Sequence, residues 1–108
     1  MLYILQVFNS KNTLVKMFGC KGTGLGEFDY PYGVGIDPEN NIVVADMWNN
    51  RVSLYMQDGT FIRHLIADTR DSIQWPAQLC IGKNDPSTDA YMIFVNNLVG
   101  SSLVLYEF

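Results

Sequence analysis

Side chains that could carry covalent or metal chemistry are few and isolated in this 108-residue chain. The one histidine, His64, lies in an apolar run without Cys, Asp or Glu at metal-ligand spacing, so we expect a structural role. The cysteines, Cys20 and Cys80, are too few for a disulfide framework and fit reduced thiols in an intracellular protein. No serine occupies a nucleophile elbow. The sequence therefore predicts that the chain is not an enzyme and holds no metal or cofactor.

A cluster of glycines between residues 19 and 28 raises the possibility of a nucleotide-binding loop. Such a loop needs a helix directly after it, so that backbone N–H groups and the helix dipole face the phosphate. Pro31 and a strand-like run follow instead. We therefore interpret the glycines as a tight connection between two sheets, with Phe28 packed between them.

Asp46 and Arg51 enclose a short turn and form a candidate structural lock. An aspartate at a strand end can accept backbone N–H bonds and pair with an arginine of the following Asn-x-Arg turn. This pairing would fix the connection between the two strands, and we favour that structural role over a functional one.

Aromatic and amide side chains at turns are the candidate partner-binding residues. They are Tyr32, Trp48, Asn49, Asn50 and, one repeat later, Trp75. On one face they could stack on single-stranded bases and bond to base edges. They could equally anchor a protein partner. Packing of Trp48 against a neighbouring sheet is the structural alternative.

Short strands must position these residues, because no window shows the periodicity and caps of a helix. Alternating apolar residues between turn formers predict nine strands, at residues 3–8, 13–18, 33–37, 42–46, 51–56, 60–66, 77–82, 90–96 and 102–107. Two further strands are possible around 21–30 and 67–75. Asn40-Asn41 and Asp58-Gly59 suit tight hairpin turns, and Asn12 suits the left-handed conformation.

An internal repeat organises these strands. Residues 7–16 align with residues 54–63, 47 positions later (54 − 7), and residues 31–37 align with 76–82, 45 positions later (76 − 31). A period in the forties with tight turns is typical of a β-propeller with four-stranded blades. The repeat divides the chain into the end of one blade (1–18), one full blade (31–66) and an incomplete last blade (76–108).

Composition agrees with a packed protein. A hydrophobic content of 48% with 13% aromatics is ample for a core, and no apolar run is long enough to span a membrane. The net charge of −4 weakens the case for nucleic acid, since phosphate binding usually leaves a basic footprint. We expect a cytoplasmic location.

The residues from 31 to 52 resemble the NHL repeat. The segments PYGVGID (31–37), NIVVAD (41–46) and NNRV (49–52) follow its pattern closely, and Phe18-Gly19 with Gly24, Gly26 and Phe28 resemble its spacer. The resemblance implies an all-β fold of antiparallel meander blades in an NHL-type propeller, here about two to three blades of about six. The last repeat departs from the pattern at Gln78 and Asn96.

The chain is most similar to the C-terminal end of TRIM-NHL proteins, including the Brat-like members. This resemblance implies a protein-binding, substrate-recognition module of a TRIM-type ubiquitin ligase, whose ligase activity would lie in upstream domains. The alternative that it implies is sequence-selective binding of single-stranded RNA in post-transcriptional regulation. Further partners would be the remaining propeller blades.

Overall fold

The computed structural model describes residues 3–66, 76–82, 87, 92–97 and 103–107. They form nine β-strands and one 3-10 helix: β1 (Leu5–Phe8), β2 (Leu14–Phe18), β3 (Pro31–Ile36), β4 (Ile42–Asp46), η1 (Met47–Asn49), β5 (Arg51–Tyr55), β6 (Phe61–Ile66), β7 (Pro76–Gly82), β8 (Met92–Asn97) and β9 (Leu103–Glu107). Each of the nine predicted strands is confirmed. Residues 21–30 form no strand beyond an isolated bridge between Lys21 and Phe28, and the possible strand at 67–75 lies outside the described residues.

The strands make three consecutive antiparallel meanders. In chain order these are a two-stranded sheet (β1-β2), a four-stranded sheet (β3-β4-β5-β6) and a three-stranded sheet (β7-β8-β9), and none of them closes into a barrel. The predicted all-β class with antiparallel sheets is confirmed, and the arrangement is consistent with partial propeller blades. The division of the chain into blades of one ring stays a prediction.

Residues that tolerate positive φ make the hairpin turns. Asn12 and Asn40 adopt φ angles of 62° and 65°, and Gly59 adopts 94°. The Asp37 carboxylate also accepts the N–H of Asn41 at 2.7 Å, closing the β3–β4 turn. The left-handed conformation costs asparagine and glycine little conformational energy, which is why these residues occupy the turns between strands.

The middle sheet is covered on both faces, and every residue of β4 and β5 is buried. On the face toward β7, a core cluster of Val43, Ala45, Val52, Leu54, Leu65 and Ile66 packs against Leu79 and Ile81. On the face toward β1 and β2, a cluster of Phe28, Ile42, Val44 and Tyr55 packs against Leu5, Val7, Phe18 and Phe61. The meanders therefore stack face to face, with the four-stranded sheet between the other two.

Gly35 sets the distance between β3 and β7. A Cβ atom at this position would lie 2.6 Å from Leu79 Cδ1 and 2.9 Å from Ile81 Cδ1. Those distances are too short for a side chain, so glycine is what allows the first strands of the middle and third sheets to approach so closely.

Phe28 lies between the first and middle sheets, as its position after the glycines predicts. It is fully buried, and its ring centroid lies 5.4 Å from that of Tyr55 and 6.3 Å from that of Phe18. Aromatic edge and tilted contacts at these distances add to the stabilisation from burial. The long connection (19–30) is thereby attached to both sheets.

Among the described residues, no helix has the length and apolar character needed to cross a membrane.

Candidate functional site

Three aromatic residues meet at one end of the middle sheet. Pro31, at the start of β3, pairs with Asp46, at the end of β4. The residues that flank Pro31 therefore lie beside η1, which connects β4 to β5. The register of the sheet, rather than closeness in sequence, brings the two segments together.

We call Tyr30, Tyr32 and Trp48 the aromatic surface. The rings of Tyr30 and Tyr32 stack with centroids 5.9 Å apart and planes inclined by 16°. The Tyr30 ring also lies 6.4 Å from that of Trp48. Tyr32 is 50% exposed and Trp48 58% exposed, while Tyr30 is half-buried between them. The surface is a continuous row of rings with its outer members accessible.

Tyr30 is the member that sequence reasoning missed. Its φ of 63° is unusual for a bulky side chain. Backbone bonds hold it there, because its carbonyl accepts the N–H of Met47 at 3.1 Å and the preceding Asp29 carbonyl accepts that of Trp48 at 3.0 Å. The Tyr-Pro-Tyr sequence at 30–32 was the available signal, since two aromatics beside a proline mark a constrained turn.

A buried polar network, here called the lock, supports the aromatic surface. It consists of Asp46, Asn49 and Arg51. Asp46 Oδ2 accepts bonds from Arg51 Nε at 3.2 Å and from Asn49 Nδ2 at 2.8 Å. Its Oδ1 accepts the N–H of Asp29 at 2.8 Å, next to Tyr30. The predicted contact between Asp46 and Arg51 is therefore present. The bonds of Asp46 to Asn49 and to Asp29 also hold η1 and the segment before β3 together.

Arg51 also orders the glycine-rich connection. Its Nη1 donates to the Thr23 carbonyl at 2.7 Å, and its Nη2 donates to the carbonyls of Gly24 and Glu27 at 2.9 and 2.7 Å. A phosphate-binding loop presents N–H groups to an anion, whereas this loop presents carbonyl oxygens to a cation. The glycine-rich segment thus wraps around the guanidinium.

Burial dominates the electrostatics of the lock. It raises the pKa of Asp46 above its ordinary value, and the bonds from Asn49 and Asp29 together with the charge of Arg51 act in the opposite direction. The Asp46 side chain is fully buried. A buried carboxylate of this kind depends on its partners, since removal of one leaves a charge without compensation.

The remaining predicted partner-binding residues have different places. Asn49 is half-buried, and its amide donates to Asp46 and to the Gly22 carbonyl at 2.8 Å, so it belongs to the lock. Asn50 ends η1 in the left-handed conformation, with its N–H bonded to the Met47 carbonyl. Trp75 lies outside the described residues. Partner binding by any of these residues stays a prediction.

Other reactive groups do not converge on this site. His64 Nδ1 lies 2.8 Å from the Ser53 hydroxyl within the middle sheet. Cys20 and Cys80 are exposed free thiols. Across the part of the chain that the structure describes, no three His, Cys, Asp or Glu side chains group as metal ligands.

Comparison with known proteins gives short but clear similarities, although no family model matches the chain. It is 44% identical to protein lin-41 of Caenorhabditis elegans over 45 residues, which is 42% of this chain and 4% of lin-41. It is 43% identical to the E3 ubiquitin-protein ligase TRIM71 of Rattus norvegicus over 47 residues, 44% of this chain and 6% of TRIM71. The matched segments thus span only a small part of the relatives' length.

These relatives correct one expectation. The prediction that the chain is not an enzyme is wrong as a classification, because several of the matching proteins are E3 ubiquitin-protein ligases. The matched region is a short segment of those ligases and is not itself identified as catalytic. As its NHL-like motifs imply, the chain is related to the TRIM-NHL proteins lin-41 and TRIM71.

Proposed function

We propose that the chain contributes to the substrate-recognition surface of a TRIM-NHL ubiquitin ligase and binds a protein partner through the aromatic surface. The observation that carries this proposal is the exposed ring row Tyr32–Tyr30–Trp48 on a buried, hydrogen-bonded support. Large aromatic side chains of this kind dominate the energetics of protein interfaces.

Pre-organisation supports a binding role. The backbone of Tyr30 is held by the N–H of Met47, and the preceding Asp29 is held by Asp46. A partner that docks on these rings therefore loses little free energy in ordering them, because the lock has already done so. Rigid tyrosine and tryptophan side chains also have few rotatable bonds to immobilise.

Charge favours a protein over RNA as the partner. Aromatic rings alone could stack on bases, but RNA binding also requires cations for the phosphates. The arginine nearest to this surface in sequence, Arg51, is buried and donates to Asp46 and to three carbonyl groups. It is therefore unavailable to phosphate, and the chain's net charge is −4.

We also infer that the three meanders are successive blades of one NHL-type propeller, with residues 1–18, 31–66 and 76–108 in separate blades. Their face-to-face stacking and the repeat offset support this assignment. The aromatic surface, at the start of β3 and at η1 of the middle sheet, then lies on one face of the ring.

A peptide library displayed on phage and a pool of random single-stranded RNA test the binding proposal. Peptides selected by the 108-residue chain should bind Tyr30→Ala and Trp48→Ala variants at least about tenfold more weakly, as expected for interface hot spots. Leu25→Ala removes a similarly exposed apolar side chain outside the surface and should bind as the unchanged chain does.

Two results would overturn the proposal. One is equal peptide affinity of the aromatic variants and the Leu25→Ala control. The other is binding of the RNA pool that weakens steeply with salt and is lost in Trp48→Ala, which would assign the surface to RNA instead.

A further inference from the structure

One bulky side chain has a backbone conformation that the other described residues leave to asparagine and glycine. Four described residues other than glycine have a positive φ, and three of them are Asn12, Asn40 and Asn50. The fourth is Tyr30, with a φ of 63°. Asparagine visits the left-handed region readily because its short polar side chain bonds to the nearby backbone, whereas an aromatic residue is an outlier there. The type of residue 30 therefore does not match its conformation.

The proline that follows Tyr30 makes the mismatch larger. Pro31 restricts the residue before it to extended conformations, because the proline ring clashes with the preceding backbone and Cβ atom. The left-handed region alone costs an ordinary L-residue a factor of about 5 to 30 in the equilibrium between folded and unfolded chain. Glycine has no Cβ atom and avoids this strain. On backbone grounds, glycine would be the preferred residue at position 30.

The backbone contact of Tyr30 does not require a tyrosine. Its carbonyl accepts the N–H of Met47 at 3.1 Å, which joins the segment before β3 to η1. Glycine and asparagine carry the same carbonyl group and would accept the same bond. The reason for a tyrosine at this position must therefore lie in its side chain.

The side chain of Tyr30 connects the two outer members of the aromatic surface. Its ring stacks on that of Tyr32 at 5.9 Å and lies 6.4 Å from that of Trp48. These two neighbours come from different elements, β3 and η1. Tyr30 belongs to neither core cluster of the described residues. Its ring therefore holds the surface together rather than filling the core.

We propose that Tyr30 is the positioning residue of the aromatic surface, and that its strained backbone persists because only a ring there connects Tyr32 to Trp48. Strained conformations persist where the surrounding structure holds them, and they cluster at functional sites. The fixed central ring sets the spacing of the outer rings and thereby the partner groups that fit between them. The binding part of this inference rests on the proposed function, whereas the strain is a property of the chain alone.

Paired glycine and alanine variants measure the strain without any partner. Both remove the ring, but only alanine keeps a Cβ atom. In urea denaturation, Tyr30→Gly should be more stable than Tyr30→Ala by a net factor of about two to six in the unfolding equilibrium constant. The greater freedom of glycine in the unfolded chain offsets the rest of the strain.

Val34 is the matched control for this pair. It is 55% exposed on β3, pairs regularly with Val44 and has no positive φ. Here the order should reverse, with Val34→Gly less stable than Val34→Ala by about two- to fivefold, as at an ordinary strand position. A Tyr30→Gly variant no more stable than Tyr30→Ala would show that the backbone is unstrained and would overturn the inference.

A second series tests the binding part, with peptides selected from the phage library on the unchanged chain as the probe. Tyr30→Phe keeps the stacked ring and should bind within about threefold of the unchanged chain. Tyr30→Gly and Tyr30→Asn suit the backbone but lack the ring, and they should bind at least about tenfold more weakly. The asparagine variant separates loss of the ring from the added flexibility of glycine, since Asn12 and Asn40 adopt the same conformation.

The outcomes separate this inference from the proposed function. Binding that is lost in Trp48→Ala but kept in Tyr30→Asn would overturn the positioning role and leave the proposed function standing. Binding that depends on neither residue, or the absence of any selected peptide, would overturn both. A tyrosine with a merely structural role would change the stability in this series and leave the peptide affinity as it is, which would also overturn the inference.

Discussion

The hairpins β1–β2 and β5–β6 are two copies of one sequence pattern in different surroundings. Both are antiparallel, and residue 7 of the first aligns with residue 54 of the second. All residues of β5 are buried, whereas two of the four residues of its counterpart β1 are exposed. Because the local pattern is shared, the difference comes from the neighbours. β5 is paired on both edges and covered by sheets on both faces, whereas β1 pairs with β2 alone and packs against the middle sheet on one face.

A second difference concerns charge. The position of Arg51 corresponds to Ile4 in the first copy (51 − 47), which is an exposed apolar residue. Only the second copy therefore has a guanidinium that binds a buried aspartate and the glycine-rich connection. Both copies of the repeat form strands, but within the described residues only the second copy forms the lock.

The largest expected effect comes from breaking that lock. Arg51→Met should destabilise the chain by about 3–5 kcal/mol, because Asp46 would be left buried without its cation. The Thr23, Gly24 and Glu27 carbonyls would also lose their donors. Urea denaturation followed by tryptophan fluorescence measures the loss.

Arg63→Met is the matched control for this change. Arg63 is exposed on β6, and the substitution should alter stability by less than about 0.5 kcal/mol. The Arg51→Met deficit should also shrink as the pH falls toward 3.8, the ordinary pKa of an aspartate. Arg51 lowers the pKa of Asp46, so its removal raises that pKa further, and a raised folded-state carboxyl pKa means that stability falls as pH rises through it. If Arg51→Met left the free energy of unfolding unchanged, the lock would not stabilise the fold.

A smaller effect compares the two hairpins directly. Leu54→Ala removes a side chain that is 5% exposed in the core of the middle sheet and should cost about 2–5 kcal/mol. Leu14→Ala makes the same chemical change at a position that is 42% exposed on β2 and should cost less than about 1 kcal/mol. Equal losses of unfolding free energy would mean that β1–β2 is as well covered as β5–β6.

The strands could be predicted from the sequence because their signals are local. Apolar alternation and the Asn and Gly turn formers indicate where each strand lies, and Asn12, Asn40 and Gly59 adopt the positive φ that their types favour. Such local signals could not predict which faces of the strands are buried against other sheets. β4 and β5 are buried on both faces by partners more distant in sequence.

The site was predicted only in part for a similar reason. The contact of Asp46 with Arg51 joins residues only five positions apart, a separation that the sequence shows directly. The role of Asn49 in the lock depends on the glycine-rich connection, which lies 27 residues from Asn49 at Gly22. A contact over such a separation has no local signature, so sequence reasoning assigned Asn49 to the binding surface.

The smallest expected effect is a pH dependence that belongs to β5–β6 alone, since His64 has no histidine counterpart in β2. Burial, and to a lesser degree the charge of Arg51, lower the pKa of His64 below its ordinary value of 6.5. The unfolded chain then binds more protons than the folded one between the lowered pKa and 6.5. The stability contributed by neutral His64 is therefore complete above pH 6.5 and is lost as the pH falls below that value.

His64→Asn isolates this contribution, because an amide oxygen can replace Nδ1 as the partner of the Ser53 hydroxyl but does not titrate. The midpoint of urea denaturation of the unchanged chain should fall relative to that of the variant between about pH 7.5 and pH 5.5. The carboxylates titrate alike in both chains and cancel in the difference. Parallel midpoints across this range would mean that His64 is as well solvated in the folded chain as in the unfolded one, and that the closer packing of β5–β6 does not extend to the outer strand.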